Sequence, residues 1–272
     1  SSFMLQAYYD RHRSQLLPIG KFDAESFDVD MQYRFPLSDR HQLTWGANYR
    51  LYHNKVFDSP LLTFFPRAQT NHLIGTFIRD DITLIPERLM FTIGSRFEHN
   101  DFTGMEIQPN ARLMWTPNPE NSVWMAVSRA VRTPSRAEND SRIDITPFIP
   151  TVPGSVLSSL PFPISSTLLG SSHYNSEKLI AYEMGYRHQF SPQASIDIAG
   201  FANDYSQLRD VSFGAFSLSS GLPLRLLQPV FINNQGSALT YCVETAIDLK
   251  PLENWRFQAS YSFLNIDFSS NN

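Results

Sequence analysis

Lysine is scarce in this chain of 272 residues: Lys21, Lys55, Lys178 and Lys250 are the whole set, leaving 18 of the 22 basic residues as arginine. Cysteine is scarcer still. Cys242 stands alone, which excludes a disulfide framework and any cysteine-built zinc site. No apolar run exceeds the five residues from Val123 to Val127, so no membrane-spanning helix is encoded. Charge is sparse, at 18% of residues, and nearly balanced at a net −4. That leaves no electrostatic footprint for a nucleic-acid partner. There is no signal peptide and no initiating methionine before Ser1, and the expectation is a trimmed piece of something longer. Aromatic residues, by contrast, are plentiful: 4 Trp, 11 Tyr and 21 Phe. Many aromatics with few charges exclude intrinsic disorder.

The dominant pattern has period two. Phe27, Val29, Met31, Tyr33 and Phe35 alternate with Asp28, Asp30, Gln32 and Arg34, which predicts a strand with one apolar and one polar face. The pattern returns in Leu43–Leu51, Leu89–Phe97, Ala111–Trp115, Ile180–Phe190, Leu239–Leu249 and Trp255–Phe263. Segments near 70–85, 122–132 and 194–209 are strand-like with blurred faces. With residues 3–12 the reading gives about eleven strands. Short connections (37–40, 86–87, 117–121, 191–193, 251–254) alternate with longer ones (14–24, 54–69, 133–176, 210–230); only 101–106 breaks the rhythm. All short turns therefore fall at one end of the sheet.

Such alternation fits a soluble sandwich, apolar side inward, or an outer-membrane barrel, apolar side toward lipid. Strands of about 10–13 residues match a tilted bilayer crossing, while sandwich strands are shorter. Unequal loop ends and aromatics near strand ends (Tyr33, Phe35, Trp45, Trp115, Phe190, Trp255) also favour the membrane.

Four stretches then carry a resemblance. Ser128-Arg129-Ala130-Val131-Arg132-Thr133-Pro134-Ser135 resembles the Ser-Arg-(Ala/Gly)-(Phe/Val)-Arg-x-Pro-Ser stretch of TonB-dependent outer-membrane receptors. Glu177–Arg187 resembles their Glu-x-Leu-x-Ala-Tyr-Glu-Leu-Gly-Tyr-Arg strand, and Ser195–Tyr205 the strand after it. Tyr241-Cys242-Val243-Glu244 is similar to their Tyr-Gly-Val-Glu, with cysteine for glycine. The resemblance implies an all-β antiparallel transmembrane barrel segment, with residues 1–272 supplying about eleven of a presumed ~22 strands. Nothing in the chain resembles the family's plug domain or energy-coupling box. The resemblance further implies a bacterial outer-membrane location and active uptake of a scarce ligand. Its partners are expected to be outer-membrane lipid, TonB (through the plug and coupling box) and a small-molecule chelate. No cofactor is implied, and the protein is not expected to be an enzyme.

The longest connection, about 133–176, falls on the long-loop side and is expected to be extracellular. It carries Pro134, Pro147, Pro150, Pro153, Pro161 and Pro163, which remove backbone donors and oppose regular pairing. It should fold over the mouth instead of lengthening the wall. Arginine forks bind carboxylates bidentately, so Arg132, Arg136 and Arg142 are candidate ligand contacts, joined by Phe148, Phe162, His173 and Tyr174. The competing reading pairs these arginines with Glu138, Asp140 and Asp144. A ferric siderophore is the family's commonest cargo. Haem is disfavoured: the haem receptors' Phe-Arg-Ala-Pro box is only partly matched by Val131–Pro134, and no histidine lies from Ser135 to Ser172. Cobalamin, nickel chelates and oligosaccharides remain open. Two alternatives stand beside this reading. One is a passive outer-membrane channel. The other is a soluble sandwich hydrolase using Asp28 and Asp30, which share a face roughly 7 Å apart.

Overall fold

The computed structural model describes residues 1–16, 19–59, 61–144, 163–220 and 224–270. The elements run β1 (Ser2–Leu16), β2 (Gly20–Ser38), β3 (His41–Phe57), β4 (Leu62–Phe64), β5 (Ala68–Ile85), β6 (Leu89–Asn100), β7 (Gly104–Asn118), β8 (Asn121–Arg132), α1 (Arg136–Asn139), β9 (Ser141–Asp144), β10 (Ile164–Leu169), β11 (Glu177–Ser191), β12 (Ala194–Phe213), β13 (Ser217–Leu218), β14 (Leu226–Leu252) and β15 (Trp255–Ser269). Among the described residues all fifteen strands belong to one sheet, with no second sheet to pack against. That overturns the soluble-sandwich alternative. The proposed carboxylate pair fails with it, because Asp28 is buried and held by Arg50 at 2.6 Å.

The long strands β1, β2, β3, β5, β6, β7, β8, β11, β12, β14 and β15 pair antiparallel in chain order and form the wall. Directly paired residues share a face, so the ladder tests the alternation. Met31 lies opposite Leu5 and Ala47, Trp45 opposite Tyr33 and Ile78, and Met184 opposite Met125 and Gly200. The apolar positions thus form one continuous face, and the blurred segments take their faces from their neighbours. On it Ile74, Met184, Val243 and Phe263 stay more than half exposed, far more apolar surface than water tolerates.

The band has an upper edge. Toward the long-connection end the same face turns polar at matching heights: Arg11 on β1, Asp23 and Glu25 on β2, His53 and Lys55 on β3, Asp204 on β12, and Asn265 and Asp267 on β15. Arg11 reaches both Asp23 (3.0 Å) and Glu25 (3.2 Å) there. On the opposite, polar face Arg79 pairs with Asp81 (2.7 Å) and Arg96 with Glu98 (3.0 Å).

Strands continue past that edge, which corrects two expected loops. The connection expected at 14–24 is narrower: β1 and β2 pair as far as Leu16 and Gly20. Of 210–230, β12 claims residues up to Phe213 and β14 those from Leu226. The wall strands accordingly run from 12 to 27 residues, longer than a bilayer crossing needs. Connection 133–176 departs from expectation too. Pro134 and Pro163 stand outside its regular elements, leaving Ser141–Asp144 and Ile164–Leu169 free to pair. β9 joins β4 and β10, and β10 runs parallel to β14. The path β14-β10-β9-β4 thus bridges from β14 to the connection between β3 and β5.

One ladder is interrupted. β6 and β7 pair from Gly104 to Trp115, but β7 meets β8 only from Asn110 downward. Pro109, without an N–H, stands where that pairing stops. Above it the Arg129 side chain donates to the Ile107 carbonyl and approaches Glu106 at 3.4 Å.

Candidate functional site

Chemistry concentrates at the long-connection end, where β8 ends and β11 begins. Arg132 and Glu177 are register partners across those strands. Arg132 grips Glu177 through Nε (2.8 Å) and Nη2 (2.7 Å), and Glu138 through Nη1 (3.2 Å) and Nη2 (2.5 Å). One planar fork thus serves two carboxylates, a task lysine's point charge cannot match. Glu138 belongs to the Ser135-x-x-Glu138 start of α1 and accepts from the Ser135 amide (2.8 Å) and hydroxyl (3.0 Å). The Tyr174 hydroxyl, almost wholly buried, donates to Glu177 at 2.9 Å. Burial first, then that bond, pushes the Tyr174 hydroxyl above its ordinary value, so it remains a donor.

Burial pushes the Glu138 carboxyl upward, but bonds from Arg132 and Ser135 outweigh it and hold the group below its ordinary value of 4.5. A carboxyl lowered by folding stabilises the folded form above its unfolded value, and the contribution is lost as pH falls through the folded one. Protease resistance of the 133–144 segment in the full-length protein should therefore stay constant from about pH 8 to about pH 5 and fall only below about pH 4. Loss of resistance already at pH 5 would contradict the pairing.

Arg136 ties α1 to the wall. It is buried, bonds Asp140 at 3.1 Å and Asn54 Oδ1 at 3.0 Å, donates to the Pro66 carbonyl, and lies over the Phe64 ring at 5.0 Å. Beside it Val56, Leu62 and Phe64 form a small apolar core with Phe22 and Ile143. Between this tie and the polar face of the wall lies a cavity of about 340 Å³, reached by Arg50, Tyr52, Asn54, Asn71, Asn100 and Phe102.

The expected site residues are thus distributed unequally. Arg132 and Tyr174 meet in one network at 3.3 Å, and Arg136 joins it through α1. Arg142 stands on β9 with half its side chain exposed, 3.3 Å from Asp144. His173 is exposed in the turn before Tyr174, its amide donating to Ser171 Oγ. Phe148 and Phe162 lie outside the described residues. The wall side of the cavity was not anticipated, although Arg50, Tyr52 and Asn54 share a face at two-residue spacing.

A family model described as "TonB dependent receptor-like, beta-barrel" matches residues 3–272. Among solved structures, the siderophore receptor PirA from Pseudomonas aeruginosa superposes with a TM-score of 0.79 at 16% identity, over 99% of this chain and 47% of that one. PirA from Acinetobacter baumannii gives 0.76 at 14%, over 96% and 42%. The ferric enterobactin receptor PfeA from Pseudomonas aeruginosa, as its G324V mutant, gives 0.72 at 14%, over 96% and 43%. The chain therefore spans less than half the length of these receptors. No curated protein matches.

Proposed function

Because this chain belongs to the TonB-dependent receptor β-barrel family, we propose that it forms part of the wall and mouth of a bacterial outer-membrane receptor. That receptor takes up a scarce ligand using energy delivered through TonB, and its cargo is a ferric siderophore. The observation carrying this reading is the bridge of β4, β9 and β10 at one end of an apolar-faced wall, beside a cavity on the polar face that Phe64 of β4 and the Thr133–Ala137 segment cover. A covered cavity at the mouth suits capture of a specific solute. The similar structures are named as siderophore and ferric enterobactin receptors, which favours an iron chelate for this chain as well. Within the mouth, Arg142 and His173 present their side chains to an arriving ligand. Arg132, Arg136 and Tyr174 hold the bridge in place, and Phe148 and Phe162 belong to the same connection.

Two measurements on whole cells test this. Uptake of ⁵⁵Fe-loaded siderophores by the full-length receptor should stop when TonB is removed or a protonophore collapses the inner-membrane gradient. Uptake that continues would favour the passive channel. Deleting Asp140 to Leu169 removes β9 and β10 from the bridge and should abolish siderophore binding. Unchanged binding by a correctly inserted variant would remove the connection from the ligand site.

A further inference from the structure

We propose that the cavity between the polar face of the wall and the Pro134–Ala137 segment binds an uncharged aromatic group bearing one hydrogen-bonding substituent. This rests on the uptake reading, with the group being one arm of the transported chelate. Asn71 on β5 turns into this cavity from the polar face of the wall. It is 9% exposed, it lines the cavity, and neither its amide nitrogen nor its amide oxygen has a partner among the described residues. A buried amide left without hydrogen bonds costs free energy, so this side chain is built for something that arrives. The neighbouring polar groups are already engaged. Asn100 bonds Thr103 and the amides of Phe102 and Thr103, and Asn54 Oδ1 accepts from Arg136.

The charges decide what arrives. Arg50 is neutralised by Asp28 at 2.6 Å and Arg136 by Asp140 at 3.1 Å. An anion would find no uncompensated cation, and would be desolvated among Phe22, Val56, Phe64 and Phe102. A neutral ring gains from those apolar walls and completes the Asn71 amide. At about 340 Å³ the space is at the small end of ligand pockets, enough for one ring and its substituent.

The probe is benzamide, with benzoate as its charged isostere, titrated into detergent-solubilised full-length receptor by saturation-transfer NMR. Benzamide should bind, and benzoate at least about tenfold more weakly. Asn71→Leu should weaken benzamide by about tenfold or more, the loss of one buried hydrogen-bonding partner. Asn71→Leu removes an unsatisfied polar group, so folding is not at risk. Ala137→Trp, placed at an exposed position on the cavity rim, should block the site without touching the wall. No benzamide binding, equal or tighter benzoate binding, or full binding by Asn71→Leu would overturn the proposal. TonB-dependent uptake measured on the same receptor separates the two readings. Intact uptake with no benzamide binding sinks only the cavity, and benzamide binding with TonB-independent uptake sinks only the transport mechanism.

Discussion

Arginine in place of Met31 is expected to destabilise the full-length barrel by about 2–4 kcal/mol, while arginine in place of Gln32 costs far less. On β2 the apolar face runs from Phe27 to Phe35, with Glu25 and Asp23 continuing it upward as polar positions. Met31 sits at the middle of that band, between Leu5 and Ala47. A guanidinium there meets hydrocarbon at its thickest, beyond easy reach of either interface. Gln32, one residue on, points to the opposite face, where carboxylates and arginines already neutralise one another and water is available. Folding free energies measured reversibly in phospholipid bilayers provide the comparison. Equal costs at the two positions would invalidate the assignment of faces along the whole wall, since the ladder links every strand to this one.

Removing the Arg132 fork is the second large perturbation. Glu138 keeps only 4% of its side chain exposed, and Arg132→Ala leaves that carboxylate with Ser135 and with Arg209 at 3.8 Å. A buried charged group deprived of its main partner costs about 2–3 kcal/mol. The cost falls on the bridge and not on the wall. Amide exchange should accelerate at Asp140, Gly170 and Ser171, whose N–H groups bond Arg136, Ser141 and Glu138 carbonyls, while β5 and β6 keep their protection. Arg132→Lys should recover part of the loss, because it restores charge without the double fork. Unaltered exchange in Arg132→Ala would mean that the network is not what anchors the connection.

The faces of the wall were legible because lipid and lumen impose opposite demands on successive residues. Phe27–Phe35 and Leu43–Leu51 state this without help from any neighbour. Legibility ended at the upper edge of the band. Above it the demand lapses, and on β15 Leu264, Ile266 and Phe268 take the polar face while Asn265 and Asp267 take the other. The strand continues through a pattern that contradicts its lower half, so β1, β2, β12 and β14 read as ending too early. The bridge was illegible for another reason. β4 pairs with β9 and β10 with β14 across long stretches of chain, and strands of three, four and six residues carry too little periodicity to announce partners. Arg136 shows the same limit within the mouth. Its type pointed to carboxylate binding, and Asp140 fits, but nothing local announces that its fork also collects Asn54 and the Pro66 carbonyl. Asn71 was hidden because Leu73 and Phe77 share its face on β5, which obscured that strand's alternation.

The interruption at Pro109 gives the wall a preferred line of fracture. Strand pairs such as β1–β2, β2–β3 and β8–β11 are laced along their length by rows of main-chain bonds that must break together. Between the upper parts of β7 and β8, a single guanidinium, that of Arg129, spans the gap to Ile107 and Glu106. A tear opened from the mouth would start there and stop at Asn110, where lacing resumes. The crack is short and blunt-ended, and a side chain can let go and re-engage without any strand losing its register.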